Sequence, residues 1–105
     1  LRLNEGDTQL TLKQLSPVRL VKNDFFKQVE EAESRGATTD ELRTLLGKGR
    51  AKKGIFEGDL FEGELEIGQV ASCIHKLQTG DEVMKELVED FNAALNRVNE
   101  LKRFI

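Results

Sequence analysis

A mainly α-helical domain is what this sequence predicts, on three observations. Apolar residues recur at helical spacing through most of the chain, and two Thr-x-x-Glu signatures, Thr38–Glu41 and Thr79–Glu82, mark helix starts. The composition is that of a folded domain: 105 residues are 38% apolar, and nine glycines raise that share to roughly 47%, inside the usual ~45–50%. That balance excludes wholesale disorder, a collagen repeat and a disulfide scaffold. The length predicts one core and is short for a self-sufficient cofactor enzyme. The start at Leu1 rather than Met predicts a piece of a longer protein.

In chain order, residues 8–22 alternate apolar and polar side chains, with Leu10, Leu12, Val18 and Leu20 on the apolar phase. Pro17 interrupts the run, so two short extended stretches are expected rather than one central strand. Asn23 or Asp24 then offers a helix N-cap. Phe25, Phe26, Val29 and Ala32 follow at helical spacing until Gly36, which predicts a helix over 24–35. The Thr38–Glu41 capping box opens a short helix with Leu42, Leu45 and Leu46 on its apolar face, closed by Gly47. From 47 to 63 five glycines, a basic cluster and Ile55, Phe56, Leu60 and Phe61 predict a loop with short helical turns.

Beyond the loop, Ile67, Val70, Ala71, Ile74 and Leu77 fall on one stripe of an α-helix. After the second capping box, Val83, Leu87, Phe91, Ala94, Leu95, Val98 and Leu101 continue such a stripe. The last third is therefore expected to be a helical hairpin broken near Gly80, and the chain divides into 1–63, helical with short extended segments, and 64–105, the hairpin.

Charge and residue counts exclude several function classes. Sixteen Lys and Arg against nineteen Asp and Glu leave a net charge of −3, and the basic cluster Lys48, Arg50, Lys52 and Lys53 has no interleaved aromatics on which bases could stack. No nucleic-acid partner is expected, and the cluster reads as a solvated loop. No apolar run approaches the ~18 residues of a membrane span. The single Cys73 fits a reducing, cytoplasmic compartment. Cys73 and His75 stand two apart, on different faces of a helix, and one His plus one Cys cannot make a usual zinc set. Cys73 is expected as a packed thiol and His75 as a surface or boundary residue. Phosphate-loop patterns fail as well. Gly49 to Gly54 is followed by Ile55, and Gly63 to Gly68 by Gln69 and Val70, where a phosphate loop needs Lys and Ser or Thr. Gly47-Lys48-Gly49 meets Lys52 where the dinucleotide fingerprint needs glycine.

One stretch stands apart: the glycine-spaced acidic loop 57–69, EGDLFEGELEIGQ, running into the expected apolar helix. Two readings apply. Glycines beside a helix start let a backbone or a flat ligand approach closely, with free N–H groups at hand. Alternatively the acidic residues complement the helix dipole and the glycines serve turns.

Around this loop the chain resembles a known family. PVRLVKNDFFKQVEEAE, then LLGKGRAKKG, then FEGDLFEGELEIGQVASCIHKL, in that order, resemble the C-terminal third of the nitronate monooxygenases, formerly called 2-nitropropane dioxygenases. The same region is similar to that of the related flavin-dependent enoyl-acyl-carrier-protein reductases. The resemblance runs from about Thr8 to the last helix. It implies the C-terminal portion of an FMN-dependent TIM barrel: a helical inserted domain over about 9–63, and helices from Glu64 that return to the barrel wall. Gly68 and Gln69 resemble the junction over the flavin, and Glu66 the residue facing the substrate cleft, where the family often carries a small or apolar side chain. The family's flavin-phosphate glycines and catalytic histidine lie upstream of anything here, and His75 does not correspond to that base. The resemblance thus implies a partner, the upstream barrel of the same protein, a small-molecule substrate, and no activity or FMN binding by this chain alone. The alternative is a free-standing helical interaction module that presents the 81–103 stripe to a partner or to a second copy.

Overall fold

The computed structural model describes residues 1–102. They separate into two units, Leu1–His75 and the stretch from Lys76 onward. Positions 103–105 of the expected hairpin lie outside the described residues.

In the first unit, strands β1 (Thr8–Thr11) and β2 (Val18–Val21) pair antiparallel, with Thr8 opposite Val21 and Thr11 opposite Val18. Pro17 stands just before β2, where its missing N–H costs the ladder nothing. The turn between the strands holds Leu12 at φ 54, rare for a residue with a Cβ. The Glu33 carboxylate fixes it, accepting from Leu12 N–H at 3.0 Å and from the Thr11 hydroxyl.

Helix α1 (Asp24–Ser34) starts at Asn23, whose Oδ1 accepts from Phe26 N–H at 2.9 Å. It ends at Gly36, φ 75, where Gly36 and Ala37 donate back to Glu33 and Ala32. Helix α2 (Thr39–Leu46) carries both arms of the expected capping box. The buried faces of α1 and α2 meet Leu12 and Leu20 in one core of Phe25, Phe26, Val29, Ala32, Ala37 and Leu42, flanked by Leu15, Val18, Leu45 and Leu46. Phe25, Val29 and Leu42 are wholly out of solvent. Helix α3 (Arg50–Ile55) is the helical turn expected within 47–63.

The α-helix expected from Ile67 to Leu77 is absent, and with it the first arm of the hairpin. Residues 65–67 instead run along the free edge of β2: Val21 N–H donates to Leu65 O and Ile67 N–H to Arg19 O, each at 3.0 Å. This pairing holds the backbone extended where a first helical turn would have to nucleate. Gly68, extended at φ −88, ψ 163, offers no side-chain cap. Only a 3₁₀ turn, Gln69–Cys73, forms. Leu65 goes inward with Leu3 and Val21, and Ala71 packs partly against them. Val70, Ile74 and Leu77 are exposed.

The second unit is one helix, α4 (Gly80–Leu101), opened by the Thr79–Glu82 capping box with both hydrogen bonds in place. None of its residues is buried, and Val83, Leu87, Phe91, Leu95 and Val98 form an exposed apolar stripe. No helix among the described residues is long and apolar enough to cross a membrane.

Candidate functional site

The acidic loop is built against α1 and α3 by a few polar groups. Asn23, while capping α1, donates through Nδ2 to Leu60 O at 3.0 Å and Gly63 O at 2.8 Å. Phe25 N–H donates to Phe61 O, and Glu64 N–H to Arg50 O. Arg50 lies over the Phe25 ring, 4.5 Å from its centre, and donates to Glu62 O, to the Glu62 carboxylate at 3.2 Å and to Leu45 O. Asp59 Oδ1 accepts from Phe61 and Glu62 N–H, and its other oxygen meets Lys53 at 3.4 Å. The Glu62 amide first, with Phe61 and Lys53, holds the Asp59 carboxyl below its ordinary value.

The basic cluster expected as a solvated loop is thus α3, with Arg50 and Lys53 spent on the acidic segment. The loop also does not cap an α-helix, so the helix-dipole reading of its acids falls. Gly54 and Gly63 touch backbone to backbone: a Cβ on Gly63 would collide with Gly54 Cα and Asp59 O, and one on Gly54 would come within 2.6 Å of Leu65 Cδ2. Here the glycines serve close approach of chain to chain.

From this anchored base the 64–67 strand emerges with a period of two. Leu65 points into the unit while Glu64 and Glu66 share the opposite face and line one groove of about 330 Å³ with Leu12, Leu15, Ser16, Pro17, Val18 and Leu46. Glu66 is exposed, but Glu64 is only 8% exposed. Burial first, and the adjacent Glu66 carboxyl second, push Glu64 up to about 7 against the pull of the Arg50 charge. The groove mouth therefore carries two carboxyls that resist ionising together.

The strand leads into the Gly68–Gln69 turn. A Cβ at Gly68 would meet nothing within 4 Å, so a flat group can lie directly on this backbone. Gln69 is exposed and, with Ser72 and Cys73, borders a second groove of about 570 Å³, closed on the other side by Asn4, Thr8 and Arg19. Gln69 and Glu66 do not share a groove. Cys73, expected as a packed thiol, is exposed, because the helix that would have buried it does not form. His75 is exposed, as expected. Among the described residues no three His, Cys, Asp or Glu side chains come together to hold a metal.

Three residues that organise the site are not marked by the sequence patterns above: Asn23 as loop anchor, Arg50 as its partner, and Glu64 as a buried acid beside Glu66. The signal for Glu64 was present. The alternation Glu64-Leu65-Glu66-Ile67 is a strand pattern, and read so it puts both acids on one face.

No family model matches the chain, and comparison with curated proteins found no match. Among solved structures the chain is similar to FabK from Thermotoga maritima, with TM-score 0.79 and 21% identity over 93% of this chain and 31% of that one. A point mutant of the same protein gives TM-score 0.72 and 18% identity, covering 93% and 28%. The chain thus spans about a third of the length of the structures it matches. At this identity the likeness is one of fold: a mostly helical chain with a two-stranded sheet that corresponds to part of FabK.

Proposed function

We propose that this chain is the C-terminal part of a flavin-dependent barrel oxidoreductase, supplying the helical second domain and a closing helix. The superposition of 93% of the chain on a section of FabK at TM-score 0.79 carries this reading, and the ordered motifs between Pro17 and Leu77 agree with it. FabK is a flavin-dependent enoyl-acyl-carrier-protein reductase related to the nitronate monooxygenases. Reduction of an enoyl thioester and oxidation of a nitronate suit the proposed architecture equally well. In the complete protein the Gly68–Gln69 turn lies against the FMN ring and Glu66 faces the substrate cleft. The open Gly68 backbone and the exposed Gln69 amide support these roles. Hydride and oxygen chemistry need a cofactor held by several elements, so the 105-residue chain alone neither turns over nor holds FMN tightly.

Two measurements test this. The 105-residue chain mixed with FMN is expected to give no tight complex; a stoichiometric yellow complex with nitronate-dependent oxygen uptake overturns the dependence on an upstream barrel. In the complete protein Gln69→Ala is expected to lower FMN affinity and turnover more than folding stability. Unchanged affinity and turnover would make the turn structural only.

The exposed stripe of α4 favours a second reading, a helical module that docks on a partner or a second copy. Light scattering separates the two: concentration-dependent self-association of the purified chain with no flavin-protein reading frame upstream supports the module, and such a frame upstream supports the oxidoreductase.

A further inference from the structure

We propose that α4 pairs antiparallel with α4 of a second copy of this chain, Phe91 of each helix packing on Ala94 of the other. The inference rests on the second reading above, the stripe as a docking face, and names its occupant.

Three observations carry it. First, Met84, Leu87, Phe91, Ala94, Val98 and Leu101 follow one another in alternating steps of three and four residues, the repeat of a two-helix seam. All are exposed except Ala94, which is half-buried. Second, the layers fit in one direction. Laid antiparallel, the seam brings Met84 onto Leu101, Leu87 onto Val98 and Phe91 onto Ala94 of the second copy, so the large ring meets the small methyl. Laid parallel in register, Phe91 meets Phe91 and Ala94 meets Ala94, which crowds one layer and leaves a void in the next.

Third, the charges fit in the same direction. From Asp81 to Asp90 five acids stand against Lys85 alone, and Lys85 pairs along the helix with Glu89 at 3.9 Å. From Phe91 to Lys102 the balance reverses, with Arg97 and Lys102 against Glu100. Parallel pairing stacks the acidic halves on each other, whereas antiparallel pairing lays acidic on basic and opposes the helix dipoles. The register that fills the apolar layers also sets Asp90 beside Arg97 of the second copy and Asp81 beside Lys102. Two-fold symmetry makes each contact twice. Asp90 and Arg97 have no ion-pair partner among the described residues. A face that complements itself in shape and in charge at one register is the isologous kind that a second copy fits.

The experiment is sedimentation equilibrium of the 105-residue chain at physiological salt, in reducing buffer because Cys73 is exposed. A monomer–dimer equilibrium is expected. Asp90→Arg sets like charges together at Arg97, and Arg97→Asp does so at Asp90; each is expected to weaken dimerisation about tenfold. An equimolar mixture of the two variants restores both contacts in a heterodimer and is expected to recover the parental affinity within about threefold. Glu89→Arg makes the same charge change on the face away from the seam and should leave dimerisation unchanged. Circular dichroism checks that each variant keeps its helix. A chain that stays monomeric at near-millimolar concentration overturns the proposal and leaves the stripe to another surface, such as an upstream barrel. Association that Phe91→Gln abolishes but neither charge reversal moves, or that the mixture does not recover, overturns the antiparallel pairing while the stripe remains a docking face. Association that survives Phe91→Gln as well overturns the docking reading itself.

Discussion

Asn23→Ala removes three hydrogen bonds with one side chain, and the structure sets the size of the loss. The cap on Phe26 N–H is worth about 1 kcal/mol. The two bonds donated to Leu60 O and Gly63 O are worth about 1 kcal/mol each. The sum, about 3 kcal/mol, is a large part of the 5–15 kcal/mol that holds a domain together. Asn23→Asp separates the two roles, since a carboxylate still accepts from Phe26 but faces the Leu60 and Gly63 carbonyls with no donor. It is expected to cost about 2 kcal/mol or more, all of it from the loop. Urea unfolding reads the stability, and amide exchange reads where it is lost. Protection at Glu64 and Ile67 should fall in both variants, while the first turn of α1 frays only in Asn23→Ala. An Asn23→Asp protein as stable as the parent, with loop amides equally protected, would refute the assignment of Asn23 as the anchor of the acidic loop.

Glu64 is raised from 4.5 to about 7 in the folded chain, so the native state binds a proton that the unfolded chain has already released across that interval. The stability it contributes is complete below about 4.5 and is lost as pH rises through about 7, on the order of 3 kcal/mol at most. Glu64→Gln should abolish that decline in unfolding experiments between pH 5 and pH 8, and a parallel decline in the variant would assign it elsewhere. Gly63→Ala, whose Cβ overlaps the Gly54 backbone, should cost about 3 kcal/mol or more, whereas Gly68→Ala, with open space around it, should leave unfolding unchanged within about 0.5 kcal/mol. Equal effects at the two glycines would contradict the close approach at Gly54. On α4, Phe91→Gln alters an exposed side chain; it should leave the melting of the first unit unchanged and reduce any self-association seen by light scattering.

Local signals carried most of the first unit and the start of α4. The caps at Asn23, Thr38 and Thr79, the stop at Gly36 and the break at Pro17 each involve residues a few positions apart, and each forms as the sequence indicates. The failure at 67–77 has a non-local cause. Ile67, Val70, Ala71, Ile74 and Leu77 do match a helix, but the amide of Ile67 is claimed by Arg19 O from almost fifty residues away, and sequence periodicity is blind to such a competitor. Charge pairing was missed for the same reason: Arg50 and Glu62 each look solvated until the Gly54–Gly63 contact brings their segments together. Placement was legible for Gly68, Gln69 and Glu66 only as a neighbourhood. Their separation into two grooves depends on the strand pairing.

That pairing also explains why the chemically distinctive groups lie at this point of the unit. An added strand on the edge of β2 satisfies alternate backbone groups and sends side chains alternately in and out. One inward position, Leu65, suffices to hold the strand in a small core with Leu3 and Val21, which releases Glu64 and Glu66 from any packing duty on the other face. Where the pairing stops, after Ile67, the backbone is left without a ladder partner and without the cap needed to start an α-helix, so it turns at Gly68. An α-helix over 67–77 would have wound Glu66 and Gln69 toward neighbouring faces of one cylinder. The extended route instead gives an acid pair against apolar walls and, one residue beyond the strand, a bare glycine beside a free amide side chain. Both features follow from two backbone hydrogen bonds, Val21 N–H to Leu65 O and Ile67 N–H to Arg19 O, and a change that loosened this strand would disturb the two grooves together.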